Sequence, residues 1–378
     1  MKPQSVIALI NKYAAYIIAF FWAITTIMYY NHSGLFTQLE AEKYIKEADR
    51  FIQYGNLSLN KYWFYSTTIL LIILSIKLQL GLFGAFIIQA LINLCAYLLL
   101  YKALKKIHTY SFTALLIIVY LLIFWPYQSW IVFLYTESIF FSFILILLSL
   151  LIMYQNNKNS ETVLFILLAL ILVIMSRPLG ILFIIPTCTF FFIGLKKKAK
   201  IISLPFIIAS ICIIIYATNI VFSRSADASI ILAASQQCII CGIIPQNHLP
   251  IILQTGGSPL YQLYFYITNN FSQFLYLGGI KLKYFFIMTR TYYSTFHNAF
   301  LLAFTIPVYI LFVGSLFIKK EKIYKTLYIF IITLLLLFCI TIMTQCDDYH
   351  NRFILSIYPF FVIFAAKTIE DLLAMTKK

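Results

Sequence analysis

Apolar runs punctuate the chain at residues 13–30, 62–78, 81–100, 111–125, 138–154, 163–175, 178–194, 201–222, 298–318, 324–344 and 353–367, with short connections between most of them and a long one at 223–297. Stretches such as Leu164–Met175 and Leu327–Met343 are nearly free of polar side chains. A backbone that crosses hydrocarbon must satisfy its own N–H and C=O groups, so runs of this kind are read as helices. The predicted fold class is all-α: a polytopic transmembrane helical bundle of about ten spans, forming a single integral membrane domain over residues 1–378. Tyr13–Tyr30 is too long for a secretory signal and lacks its small-residue cleavage site, which predicts a retained first span.

One stretch breaks this pattern. Glu40–Gly55, E-A-E-K-Y-I-K-E-A-D-R-F-I-Q-Y-G, carries Glu40, Glu42, Glu47 and Asp49, four of the twelve acidic residues of the chain. At about 100° per residue, Ala41, Tyr44, Ile45, Ala48, Phe51 and Ile52 share one face, while Glu42, Lys43, Lys46, Asp49 and Arg50 share the other. Glu40 falls at the border. This is the profile of a helix lying in a membrane interface, with a carboxylate turned toward whatever the apolar face covers.

Composition supports the membrane reading, since 62% of residues are hydrophobic and 11% charged. The net charge of +16 comes largely from Lys and Arg in short loops. Topology explains it without nucleic acid. If run 62–78 does not cross, the loops around Lys102–Lys106, Lys158, Lys196–Lys200, Lys319–Lys325 and the C-terminal lysines share the side of the N-terminus. Only Arg177, Arg224, Lys281, Lys283, Arg290 and Arg352 then fall on the other side, downstream of that run. If it does cross, the bias inverts. The expectation is therefore a re-entrant or juxtamembrane 62–78 segment, both termini in the cytoplasm, a first outer loop at 31–80 and a long outer loop at 223–297.

That topology places most carboxylates outside, in the first loop, at Trp125–Ser138, in the long loop and at Gln345–Arg352. The second half of the long loop alternates aromatic residues with Lys281, Lys283 and Arg290, which suits the headgroup zone of membrane lipids. Of seven cysteines, only Cys238 and Cys241 have motif spacing. Without a second such pair or a histidine partner, that spacing favours a chance pair or a disulfide over a metal site.

Several residues could carry chemistry. Glu40 follows Thr37-Gln-Leu and fits a capping box, so it is both a helix-start device and a candidate general base. Glu137, in Leu134-Tyr135-Thr136-Glu137-Ser138, stands at the mouth of a span, where an ionisable group is costly unless paired or functional. The helix dipole also favours a carboxylate there. Arg177, before Pro178, can pair with a carboxylate, hold a phosphate or simply reach the interface. Lys281, Lys283, Arg290, His297 and Arg352 offer similar anion-binding chemistry, and Asp347-Asp348-Tyr349-His350-Asn351-Arg352 is dense in polar groups for a turn between spans. No Ser/His/Asp elbow, phosphate-cradling glycine loop or HExxH occurs.

Taken in order, these loops resemble the GT-C class of polyprenyl-phosphate-sugar-dependent glycosyltransferases, in the bacterial branch related to protein O-mannosyltransferases and lipid A aminoarabinose transferases. Glu40-Ala41-Glu42-Lys43-Tyr44, then Ala48 and Gly55, match that class's first-loop pattern with Glu in place of Asp. Tyr135-Thr136-Glu137-Ser138 is similar to the second acidic motif of the GPI mannosyltransferase branch. Arg177-Pro178-Leu179-Gly180 and Arg352-Phe353 followed by Pro359-Phe360 add to the likeness, whereas Lys61-Tyr62-Trp63 stands where some branches carry Tyr-Pro-Pro. The resemblance implies an inverting transferase in a bacterial inner membrane with its active site facing outward. Glu40 would act on an acceptor hydroxyl. Glu137 would steer the acceptor or bind a divalent metal, which the chemistry does not require. Arg177, Lys281, Lys283, Arg290 and Arg352 would hold the donor phosphate, with Tyr44, His297, Asp347, Asp348 and His350 around the acceptor. The partners implied are a polyprenyl-phosphate-linked sugar, a lipid, glycan or protein acceptor, and membrane lipids. The alternatives are a lipid-linked oligosaccharide flippase or other transporter, and an O-antigen-type polymerase. A transporter would be expected to keep substrate groups near the bilayer midplane, where ionisable residues are sparse in this chain.

Overall fold

The computed structural model describes residues 3–194, 205, 208–209, 211–212, 215–216, 234–241, 250–254, 256–317, 322–347 and 350–375. The described residues are helical almost throughout and contain no extended strand beyond two isolated β-bridges. In chain order the helices are α1 (Pro3–Ser33), α2 (Glu40–Tyr54), α3 (Ser66–Lys77), α4 (Gly81–Leu104), α5 (Ser111–Ile123), α6 (Trp125–Gln128), α7 (Glu137–Asn157), α8 (Ser160–Ser176), α9 (Ile184–Gly194), α10 (Pro259–Asn269), α11 (Phe271–Ile287), α12 (Thr295–Ser315), α13 (Lys322–Thr344) and α14 (Arg352–Met375). Short 3₁₀ turns lie at Asn60–Tyr65, Ser129–Val132 and Pro178–Phe183.

Among these, six helices are long and apolar enough to cross a membrane: α1, α4, α7, α12, α13 and α14. The protein is therefore a membrane protein. About ten spans were expected, and the remaining four runs differ for identifiable reasons. Run 111–125 ends in a 70° bend between α5 and Trp125–Val132, so it counts at most as one broken span. Runs 163–175 and 178–194 form shorter apolar helices. At 17 residues, α8 is about 25 Å long, somewhat less than about 30 Å of hydrocarbon. Run 201–222 lies largely outside the described residues.

The chain groups into two compact units, 1–183 with 308–325 and 358–378, and 184–307 with 326–357. In the first unit α7 is the central helix, burying Phe140, Phe141, Ile144, Leu145, Leu148 and Leu151. Beside it α4 presents Ala85, Ala90, Ala96 and Ala103 inward. Small side chains of this kind let helix backbones approach where lipid supplies no hydrophobic drive for packing. The break after α5 would leave carbonyls without partners inside the unit. Gln89 of α4 meets that need, its Nε2 donating to Ile131 O at 2.8 Å and Phe133 O at 3.0 Å. One turn further along α4, Asn93 accepts from Trp22 Nε1 at 3.1 Å and from Gln128 Nε2 at 3.2 Å, while Tyr97 donates to Gln128 Oε1 at 2.8 Å. Gln89, Asn93, Tyr97 and Gln128 thus form a buried polar network around the bend.

The other end of this unit is closed by Glu370 of α14, which accepts from the backbone N–H groups of Thr109 and Tyr110 and lies 3.1 Å from His108 Nδ1. Tyr324 adds a bond to Ile107 O at 2.7 Å. The α4–α5 connection is thereby tied to α13 and α14. In the second unit the α13–α14 connection is held by a disulfide between Cys241 and Cys346. A Cys238–Cys241 disulfide, one of the two alternatives for that spacing, is thus corrected: Cys241 bonds across 105 residues and Cys238 stays free.

Candidate functional site

Helix α2 folds as its pattern demands. Ala41, Tyr44 and Ala48 are buried, Ile45 and Phe51 are half-buried, and Glu42, Lys43, Lys46, Asp49 and Arg50 are exposed. Ile52 is the exception, at 38% exposure. Gly55 ends the helix in the left-handed region at φ 72°, its N–H bonded to Phe51 O at 2.9 Å, a conformation that glycine adopts without steric cost. The start differs from expectation. Leu39 precedes the helix at φ 56°, and Glu40 is its first residue rather than its third, so the Thr37–Glu40 capping box does not form. A first-turn carboxylate still lies where the positive end of the helix dipole favours it.

Two features bring this helix to the start of α7. Phe36 pairs as a parallel bridge with Phe133, with Phe36 N–H to Val132 O at 2.9 Å and Leu134 N–H to Phe36 O at 3.1 Å. Their rings pack at 5.0 Å and Tyr135 closes edge-on at 6.0 Å. The loop before α2 and the loop before α7 therefore form one aromatic-backed floor. On the opposite flank, Thr67 of α3 donates to Ser176 Oγ at 2.9 Å, joining α3 to the end of α8 just before Arg177.

Four residues singled out from the sequence gather on this floor. Glu137, the first residue of α7 and fully buried, forms an ion pair with Nη1 of Arg177. Tyr44 of α2 lies in the electrostatic field of Glu40, Glu137 and Arg177, together with Tyr65, whose ring is 5.5 Å away. Burial first, then Tyr65, Glu40 and Glu137, push the Tyr44 phenol well above its ordinary pKa, and Arg177 only partly opposes them. The Tyr44 phenol is thus held in its protonated form near both carboxylates. Arg177 is aimed by its backbone, extended at φ −163° between α8 and the Pro178–Phe183 turn. Gly180 lets that turn fold back on α8, because a Cβ there would meet Val173 O at 2.2 Å.

Sequence reasoning passed over two participants. Tyr65 ends the 3₁₀ turn behind Tyr44, and no pattern marked it. Glu47 is buried, accepting from Ser58 N at 2.9 Å and from Ser58 Oγ, and so fastens the segment after α2 to the helix. Its signal was available, since Glu47 lies three positions after Tyr44 and shares its side of the helix.

The remaining singled-out residues lie in the second unit. Arg290 is fully buried, ion-paired to Asp347, and donates to Tyr284 O at 2.9 Å and Thr289 O at 3.0 Å. Lys281 is buried too, donating to the carbonyls of Gln345 and, at 3.4 Å, Met343. Burial lowers its pKa to about 8. Lys283 is exposed, and Arg352 is the nearly buried first residue of α14. His297 stacks on Tyr293 at 3.9 Å, and His350 is exposed. Asp348 lies outside the described residues. No group of three or more His, Cys, Asp or Glu side chains that could hold a metal ion occurs among the described residues.

Compared with protein-family models, curated proteins and solved structures, the chain matches none.

Proposed function

We propose that the protein is a membrane glycosyltransferase of the GT-C type, transferring a sugar from a polyprenyl-phosphate donor to an acceptor hydroxyl at the outer face of a bacterial inner membrane. One observation carries the reading: a first-loop carboxylate, Glu40, and the Glu137–Arg177 pair act on the same tyrosine, Tyr44, at one end of the first unit. Acid–base work and anion binding need these groups close together.

In this reading Glu40 takes the proton of the acceptor hydroxyl as its oxygen attacks the anomeric carbon. The sugar–phosphate C–O bond breaks on the opposite face, and the electron pair leaves with the polyprenyl phosphate. Arg177 offers its guanidinium to the phosphate, and Glu137 holds it in place until then. Tyr44, protonated throughout, donates to a sugar or acceptor oxygen and fixes its position. Lys281 and Arg290 shape the α13–α14 connection in the second unit rather than bind the donor.

The outward orientation is supported by the Cys241–Cys346 disulfide, because such bonds persist in oxidising compartments. Both cysteines belong to segments that the charge bias places outside.

The test is a transfer assay on purified protein in proteoliposomes, using a panel of radiolabelled polyprenyl-phosphate sugars and membrane lipid extract as acceptor. Loss of a positioned acid–base group costs about 10²–10⁴-fold in rate. Glu40→Gln is expected to fall by that amount with its thermal stability retained, and Glu137→Gln to fall as well. Turnover by both variants at the wild-type rate would sink the proposal.

A further inference from the structure

The second unit contains three cysteines in one region. Cys238 and Cys241 have C-x-x-C spacing, and Cys241 is bonded to Cys346. The two bonded segments run side by side, Cys241 N–H donating to Asp347 O at 2.8 Å and Asp347 N–H to Ile239 O at 2.9 Å. Cys238 is the free third thiol, only 2% exposed. Its Sγ is 3.6 Å from Gln236 Oε1.

A buried thiol in apolar surroundings is normally inert. Burial raises the pKa of the Cys238 thiol, and the charge of Lys281 offsets that only in part. Lys281 acts electrostatically on Cys238, and the same ammonium donates to Gln345 O, the residue before Cys346. One cation therefore acts on the free thiol through its field and bonds the chain beside the far end of the disulfide.

We propose that Cys238, Cys241 and Cys346 form an exchangeable three-thiol site, with Lys281 as its proton carrier, in which the disulfide moves between Cys241–Cys346 and Cys238–Cys241. Lys281 as the free amine takes the Sγ proton of Cys238. The resulting thiolate attacks Cys241 Sγ, the Cys238–Cys241 bond forms, and the Cys241–Cys346 bond breaks with its electron pair leaving on Cys346. The Lys281 ammonium then returns the proton to Cys346. One disulfide and one thiol are present before and after, so no oxidant or reductant is needed. With its pKa lowered to about 8 by burial, Lys281 is about one-tenth free amine at neutral pH. The exchange releases the α13–α14 connection from the 238–241 segment and leaves the local pair in its place.

The experiment uses the purified full chain in detergent, equilibrated in glutathione buffers of graded redox poise, acid-quenched, blocked with N-ethylmaleimide and digested for mass spectrometry of linked peptides. Wild type is expected to yield both the Cys241–Cys346 and the Cys238–Cys241 linkages. Their ratio should stay constant as the poise changes, because the step carries no net electrons. Cys238→Ser should retain only the long-range linkage, and Cys346→Ser should form only the local one. Lys281→Met should slow the appearance of the local linkage by about tenfold or more, as the thiolate fraction falls. The proposal is overturned if Cys238 of the wild type is blocked by the maleimide at every poise and no Cys238–Cys241 peptide forms. A ratio that follows the poise, or a Lys281→Met variant that exchanges at the wild-type rate, removes the internal step and the role of Lys281 respectively.

Discussion

At the scale of single residues, the Glu137–Arg177 pair combines two opposing effects. Desolvating both ions is expensive, and their attraction repays it only while both are present. Glu137→Ala or Arg177→Ala alone should therefore lower stability by about 3–5 kcal/mol, since each leaves an uncompensated charge in a buried site. Glu137→Leu combined with Arg177→Met should regain most of that loss while transfer stays abolished. Thermal unfolding in detergent, read beside the transfer assay, checks both halves. A double variant as unstable as the singles would mean that packing, not charge, dominates the site. Lys281 presents the reverse case, a lone buried cation. Its folded pKa is about 8, below the unfolded value near 10.4. Between those values the unfolded chain binds more protons, so stability should rise with pH across about 8 to 10.4 and carry the full penalty below that window. Lys281→Met should flatten this part of the stability profile relative to wild type.

At the scale of elements, the turn after α8 illustrates how a small residue positions a charged one. Gly180 approaches Val173 O so closely that an added methyl group must displace backbone rather than a flexible side chain. Gly180→Ala should cost about 1–3 kcal/mol, as overpacking does, and should also reduce transfer by shifting Arg177, three residues earlier. Unfolding temperature and turnover of that one variant measure both effects. The same scale shows what could be read in advance. The two faces of α2, its glycine stop and the apolar runs of the long helices follow from local periodicity, and the helix obeys it from Ala41 to Phe51. The start of α2 was misjudged because Leu39 adopts a positive φ that no propensity anticipates. Non-local pairings were out of reach for a related reason. Glu47 with Ser58, Phe36 with Phe133 and Cys241 with Cys346 each depend on how separate segments meet, and hydrophobic pattern carries no record of that. Arg290 and Lys281 show the same limit, since a sequence displays their charge but not their burial or the Asp347 and Gln345 groups that they meet.

At the scale of the whole molecule, orientation rests on whether residues 62–78 cross the membrane. The described helix there, α3, spans 12 residues, about 18 Å at 1.5 Å per residue, well short of about 30 Å of hydrocarbon. Its sequence also carries Ser66, Thr67, Thr68 and Ser75, of which Thr67 and Ser75 bond to Ser176 and Gly81. Such a segment is suited to packing against α4 and α8 rather than to spanning lipid. Leu59 and Leu80 flank the segment and are both about half exposed, so single cysteines placed there, in a background where the native thiols are blocked or replaced, report its topology directly. Both should react with a membrane-impermeant maleimide applied to intact cells, along with a cysteine at Asp49. A cysteine at Lys106 should react only after the membrane is opened, as positive-inside bias requires. Leu59 and Leu80 labelling from opposite sides would make the segment a span and invert everything downstream. Glu137 and Arg177 would then face the cytoplasm, and a donor presented at the outer leaflet could not reach them.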